Sequence, residues 1–562
     1  MDWAIIGGYF LLSLTVGLWA ARKAGDSTDQ FFLSGRDMPW WLLGFSMVAT
    51  TFSTDTPNLV TDIVRQHGVS GNWVWWAFLL TGMLTVFCYA HLWRRSEVLT
   101  DVEFYELRYS GKPAAFLRGF RAIYLGIFFN TIIMASVSLA VIKLGHVMLG
   151  LSPIQTILGA SVVTVLFSTL GGFRSVVLTD SILFILAMIG SVAAAVAAVN
   201  HPQVGGLGAL FDAPQVQPKL SFVPEFEWGN SHKMNLFVTL FLLPLTVQWW
   251  SMWYPGSEPG GGGYQAQRML AAKSEKHAVG ATLFFNVAHY AVRPWPWILV
   301  ALASLVVFPD LTSLQRAFPE IEPGLVKNDL AYPAMLTFLP AGWRGLVLAS
   351  LVAAYMSTIS THLNWGSSYI VNDFYKRFVN PKADQKQLVW VGRVSTVSLM
   401  VAAAAVALKL ENALDAFQLI LQVGAGTGLL FLLRWFWWRI NAMSEITAML
   451  ASFLVAVGLK FIPHALQAWQ ELVLGLIITT VSWLLVTFLT EPTSPETLGK
   501  FVERVRPEGV TTGLRSMALA SIAVYAALFG TGFALYGHWM EASLALLLLL
   551  GSGWGLYRSQ LA

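Results

Sequence analysis

The stretch LVLASLVAAYMSTISTHLNWGSSYIVNDFYKR, residues 346–377, decides the fold class. It begins apolar enough to enter a bilayer, and then carries Ala354, Ser357, Thr358, Ser360, Thr361, Asn364 and Ser368. Spacings of three, four and seven put these small, mostly oxygen-bearing side chains on one face of a helix. Hydrocarbon does not reward such a stripe, so the face must meet protein, water or an ion. On the residues alone two readings stay open. One is a packing seam whose hydroxyls bond back to carbonyls a turn earlier; the other is a face that holds a cation.

Composition extends this reading to the whole chain. Of 562 residues, 56% are hydrophobic and only 12% charged, with a mean hydropathy of +0.61. Soluble proteins carry about 25% charged residues, so a polytopic all-α membrane protein is expected. The single cysteine, Cys88, excludes an intramolecular disulfide and a cysteine-rich metal site. No paired carboxylates, nucleophile elbow or metal-ligand cluster stands in the apolar segments, which argues against an enzyme. Nothing points to nucleic acid or to an obligatory protein partner.

Counting apolar runs of bilayer length gives about fifteen helices. The softest boundary is Tyr536-Gly537-His538, between the last two. The first run, MDWAIIGGYFLLSLTVGLWAARK, has its positive residues after the apolar stretch. That is the wrong order for a cleaved signal peptide, so a retained helix is expected. An outside N-terminus puts Arg22, Lys23, Arg36, Arg94, Arg95, Arg108, Lys112, Arg118 and Arg121 on the cytoplasmic side, as the positive-inside rule favours. The C-terminus then falls in the cytoplasm.

Two membrane segments are interrupted. In GFSMVATTFSTDTPNLVTDIV, Thr54-Asp55-Thr56-Pro57 sits in mid-run; in VQWWSMWYPGSEPGGGGYQAQRM, two prolines and four glycines open the helix. One lies in the second helix and the other five helices later. That pattern points to an inverted five-plus-five repeat with discontinuous first helices, whose unwound midpoints form the binding sites. The expected organisation is one transmembrane domain: an extra helix in 1–30, a first repeat in 38–200, a second in 235–440, and extra helices in 441–562.

Four stretches carry a family resemblance. MSTIS with DFYKR resembles the eighth core helix of the sodium:solute symporter family. FFLSGRDMPWWLLGFSMVATTFS resembles the entry to its first core helix, STLGGFRSVVLTDSILF the signature before its fifth, and YQAQRMLAAKS the segment after its broken sixth. They stand in the family's order, and the resemblance covers about residues 30–440. It implies a LeuT-type fold and Na+ as the coupling ion, bound by the carbonyls of Ala49, Phe52 and Ala354 and the hydroxyls of Ser357 and Thr358. In some members an aspartate matching Asp180, with hydroxyls matching Ser360 and Thr361, binds a second sodium; a dipole-stabilised residue at a helix start is the alternative. Tyr264 is implied as an inner gate, while Arg268 and Lys273 read as cytoplasmic anchors.

For the solute, the resemblance singles out Thr56, Asn72, Trp75 and Gln422, at positions where sugar carriers contact their substrate. Asn286 and His289 join them on one helix face with Tyr290 and Arg293, His289 lying near the sugar carriers' substrate-binding lysine. Only Gln422 is kept from the sugar-contacting set, which removes the donor pattern that would select a sugar. Arg293 either faces this pocket or snorkels to the outer interface. The tryptophans Trp73, Trp75, Trp76, Trp249, Trp250 and Trp253 either stack on a ligand or form an interfacial belt. The expected function is a sodium-coupled symporter importing a small polar organic solute across an inner (plasma) membrane by alternating access. The alternative is a solute-sensing membrane module without net transport.

Overall fold

The structure, a computed structural model, describes residues 2–21, 28–251, 258–410 and 426–561. Among the described residues every regular element is a helix; the β-type pairing is confined to an isolated bridge between Met38 and Ala272. Ten of these helices are long and apolar enough to cross a membrane. A helix satisfies its own backbone, as hydrocarbon requires.

That count is lower than the number of apolar runs, and three of the differences have visible reasons. One run is split into two helices, each too short to cross alone: α2 (Trp40–Thr51) and α3 (Asp55–His67). The runs centred near residues 161 and 187 share one helical stretch, α4 (Pro153–Val199), of which Phe173–Val199 is the span-length apolar part. The run around residue 425 lies outside the described residues. The last two runs are separate helices, Val510–Leu535 and Trp539–Leu561, joined by a tight turn with Gly537 at φ 79°.

Both interruptions are built from residues that cannot continue a helix. α2 ends where Phe52 leaves helical geometry (φ −97°, ψ 81°). Pro57 then falls in the first turn of α3, where its missing N–H leaves no helical bond unmade. In the second interruption Gly260 and Gly261 take φ of 84° and 96°, which favours glycine, and α5 (Gly263–Ala271) starts directly after. The Gly263 amide donates to Asp101 at 2.7 Å, and Tyr369 donates its hydroxyl to the same carboxylate.

The core follows from these pieces. After α5 come α6 (Glu275–Val287), a π-helical turn at Ala288–Val292, and α7 (Pro294–Val307). α8 (Trp343–Ser368), the stretch that decided the fold, is buried almost throughout from Gly345. It runs along α4, which also packs on α2 and on α1 (Asp2–Ala21). Trp73, Trp75 and Trp76 are buried in this interior and not in an interfacial belt. Trp73 packs edge-on to Phe241, and Trp76 to Phe529. Such pairs use the large aromatic area while keeping ring edges on ring faces.

Helices approach closely at Gly366 of α8, where an added Cβ would stand 2.7 Å from the carbonyl oxygen of Gly126. The obstacle is backbone, which cannot swing aside. Gly366→Val should therefore destabilise the fold by about 1–3 kcal/mol, read as a lowered thermal midpoint in detergent. An unchanged midpoint would show that the two helices part without cost.

Candidate functional site

The break after α2 faces α8, and hydrogen bonds join them there. Thr54 Oγ1 donates to the Leu351 carbonyl at 2.8 Å, and Thr358 Oγ1 to the Thr50 carbonyl at 2.9 Å. One residue earlier, Ser357 donates its hydroxyl to Asp180 of α4. The consequence is chemical. Both hydroxyl protons are committed to other acceptors, so Ser357 and Thr358 keep lone pairs that can only accept. The Ala49 carbonyl takes one bond, from the Phe52 amide at 3.1 Å, and no hydrogen bond reaches the Phe52 carbonyl among the described residues. Ala354 is buried one turn above Ser357. Neutral oxygens of this kind suit a hard monovalent cation that must also be released.

Asp180 is the hub behind them. It accepts from Ser46 of α2 as well as from Ser357, and Arg268 of α5 lies 3.8 Å from its second oxygen. Arg268 corrects the expectation of a cytoplasmic anchor, because the side chain is fully buried. It donates to Ser46 Oγ at 3.2 Å and to Thr361 Oγ1 at 2.9 Å, and stacks over the rings of Phe173 and Tyr264 at 5.2 and 5.7 Å. A carboxylate, two hydroxyls and two aromatic faces replace the water that a surface arginine would keep. Lys273 remains exposed, 3.9 Å from Asp37. Ser360 donates back to the Ser357 carbonyl at 3.0 Å. A guanidinium thus already stands between Asp180 and Thr361. Tyr264 is buried, its ring centroid 5.9 Å from that of His362.

On the other side of the break lies a cavity of about 100 Å³ lined by Thr51, Ser53, Asp55, Thr56, Trp75, His289, Tyr290 and Arg293, among others. Thr56, Trp75 and His289, each expected to meet the solute, therefore come together. Asn72 stands behind, its Oδ1 accepting from Trp75 Nε1 at 2.8 Å and so fixing the indole. Asn286 does not line the cavity; it donates to the Thr282 carbonyl at 2.8 Å and abuts Gly82. Gln422 lies outside the described residues. A larger cavity of about 630 Å³, between Met188, Val192, Val196, Leu339 and Trp343, has almost wholly apolar walls and offers no chemistry to select a polar solute.

Sequence reasoning did not assign Asp55 to the cavity and left Arg293 undecided. Arg293 is turned inward, 1% exposed. Its Nη1 donates to Thr51 Oγ1 at 3.1 Å and weakly to the Val48 carbonyl, its Nη2 lies against His289, and its guanidinium covers the Trp297 ring at 5.3 Å. The legible signal was the four-residue spacing from His289. The π-helical turn at Ala288–Val292, which changes the register between α6 and α7, was not legible.

Comparison with known proteins places this geometry. The model of the sodium:solute symporter family matches residues 31–452. The sodium/glucose cotransporter of Vibrio parahaemolyticus is 28% identical over 498 residues, covering 86% of this chain and 89% of that protein. The sodium/myo-inositol cotransporter 2 of Oryctolagus cuniculus is 28% identical over 548 residues, covering 88% and 77%. Among solved structures, the substrate-bound outward-open state of a Na+-coupled sialic acid symporter aligns with a TM-score of 0.68 at 20% identity, over 88% of this chain and 98% of that one. The fold is shared with it.

The buried Arg268–Asp180 contact predicts a non-additive pair. Arg268→Met should destabilise the protein by about 3 kcal/mol, since it leaves a buried carboxylate without its counter-charge. Arg268→Met with Asp180→Asn should recover much of that loss. Additive losses in the double variant, measured by thermal unfolding, would show that the two charges do not interact.

Proposed function

The chain belongs to the sodium:solute symporter family, and on that premise we propose that the break between α2 and α3 serves two ligands, the coupling sodium on the α8 side and the solute in the cavity lined by Trp75 and His289. The protein is a sodium-coupled symporter, a multi-pass membrane transporter and not an enzyme. The sodium ligands in this reading are the carbonyls of Ala49, Phe52 and Ala354 with the hydroxyls of Ser357 and Thr358. One observation carries it: the protons of both hydroxyls are already given to Asp180 and to the Thr50 carbonyl. What remains at that level is an acceptor-only set.

The finer architecture is proposed with it. The two interrupted helices begin the halves of an inverted five-plus-five repeat, 38–200 and 235–440, flanked by extra helices in 1–30 and 441–562. Counting the interrupted segments and the two apolar parts of α4 as separate crossings gives about fifteen crossings of an inner membrane, with the N-terminus outside and the C-terminus in the cytoplasm. Tyr264, the residue after the Gly263 anchor, is the inner gate. The solute is small, polar and organic, with Thr56, Trp75 and His289 as direct contacts, Asn72 supporting Trp75, and Gln422 as a further candidate; Asn286 stands outside this cavity. One sodium moving down a potential of roughly 150 mV contributes about 3.5 kcal/mol, enough for two to three decades of solute accumulation.

A second sodium at Asp180, Ser360 and Thr361 is the weaker part of the reading, because Arg268 already brings a positive charge to Asp180 and Thr361. We favour one sodium per solute. In proteoliposomes the expected charge-to-solute ratio for a solute of zero net charge is then one; a ratio of two would restore the second site.

Two variants test the first site. Ser357→Ala with Thr358→Ala should weaken apparent sodium affinity at least tenfold while the protein still folds; transport with unchanged sodium dependence would sink the assignment. Asp180→Asn should also weaken sodium binding, since it removes the charged acceptor that holds the Ser357 proton away from the ion. An Asp180→Asn protein with wild-type sodium affinity would mean that Ser357 is not a ligand. Sodium-driven uptake itself separates a transporter from a sensor.

A further inference from the structure

The cavity beside the α2 break is lined by two opposite charges, Arg293 and Asp55, that form no salt bridge among the described residues. Arg293 is held by neutral groups: Thr51 Oγ1, the Val48 carbonyl and the ring of His289. They orient the guanidinium without neutralising it, and its buried Nε has no partner. Asp55 lines the same cavity, and its shielded Oδ1 has no partner either. The ion pairs buried among the described residues are Arg121–Glu258, Lys143–Asp329, Arg268–Asp180 and Arg434–Glu445, with Arg118–Asp373 beside them. None includes Arg293 or Asp55. Asp62, Arg65, Asp101 and Arg108 are also buried without an ion pair, but Arg293 and Asp55 differ from them in lining one cavity together. An unpaired charge inside a membrane protein is costly and marks a substrate path or a missing partner.

On the premise that this cavity is the solute site, we propose that the solute is a small zwitterion, an amino acid or close analogue, whose carboxylate pairs with Arg293 and whose ammonium pairs with Asp55. The planar guanidinium suits a carboxylate, and each pairing would be charge-assisted on both sides. A neutral polyol would meet both charges with dipoles only. A plain monocarboxylate would match Arg293 and then face Asp55 with like charge. The zwitterion leaves the lined cavity neutral, so the sodium carries the one net charge moved. Trp75 and Tyr290, stacked at 5.8 Å, wall the cavity, and its volume of about 100 Å³ favours a short side chain.

The test is a thermal-shift titration of the purified full-length protein in sodium and, in parallel, in potassium. The probes are the twenty protein amino acids, acetate, ethanolamine, glucose and myo-inositol. At least one amino acid should raise the midpoint in sodium and not in potassium, while acetate, ethanolamine and both polyols do not. Arg293→Gln and Asp55→Asn should each weaken that amino acid at least tenfold, with the shift from sodium alone changed less than twofold. Arg293→Lys, which keeps the charge and loses the fork, should fall between and remains informative if Arg293→Gln does not fold. A sodium-dependent shift from glucose or myo-inositol with none from any amino acid overturns the zwitterion. If that polyol shift is lost in the two variants, the cavity survives as the site and only the substrate class fails. An amino acid that binds equally well to the wild type and both variants overturns the cavity itself. No shift from any amino acid overturns the proposal.

Discussion

Four helices meet at Asp180. Its carboxylate accepts hydrogen bonds from Ser46 of α2 and Ser357 of α8, faces Arg268 of α5, and itself belongs to α4. A carboxylate in hydrocarbon is tolerated only when such partners surround it, so the cluster fixes how these helices can lie together. It also fixes direction. A hydroxyl that gives its proton to a carboxylate presents an oxygen elsewhere, and the polarity of the ion site follows from a residue that does not itself need to touch the ion. The same carboxylate explains why an arginine expected near the membrane surface sits in the middle of the protein.

Much of this was legible in the sequence because it is local. The stripe from Ala354 to Ser368, the Thr54-Asp55-Thr56-Pro57 break and the glycine run before Tyr264 each announce themselves by spacing or by backbone chemistry, and each has a counterpart in the structure. His289 was reachable by its spacing, whereas Thr56 and Trp75 were reachable only through the family resemblance. What stayed hidden depends on contacts between distant segments. Arg268 looked like an anchor because nothing nearby in sequence offers it a carboxylate; its partner lies 88 positions earlier, at Asp180. Asn286 looked like a pocket residue because it shares a helix face with His289. The π-helical turn intervenes, and Asn286 packs against Gly82. The broken segment enters the hydropathy count as one apolar run, while its interruption at Thr54-Asp55-Thr56-Pro57 is read from backbone chemistry and stands in the structure.

The division of labour around the α2 break has a thermodynamic side. In the proposed assignment the ion face is built from neutral oxygens, and the solute face carries formal charges. A strongly charged ion site would hold sodium too well to let it go, whereas a solute can bring its own compensating groups. Selectivity and release are thus assigned to different chemistries a few residues apart on one chain.

The small carboxylate of Asp101 has a mechanical meaning. It grips the amide that starts α5 and the Tyr369 hydroxyl just past the end of α8. Tyr264 is bonded directly to the gripped glycine. Those two helix ends are therefore buckled together, and the tyrosine hangs from the buckle. It cannot drift aside by degrees, as a side chain on a loose loop would. Either the buckle travels with it as one rigid corner of the protein or the buckle opens, and that makes its movement a latch.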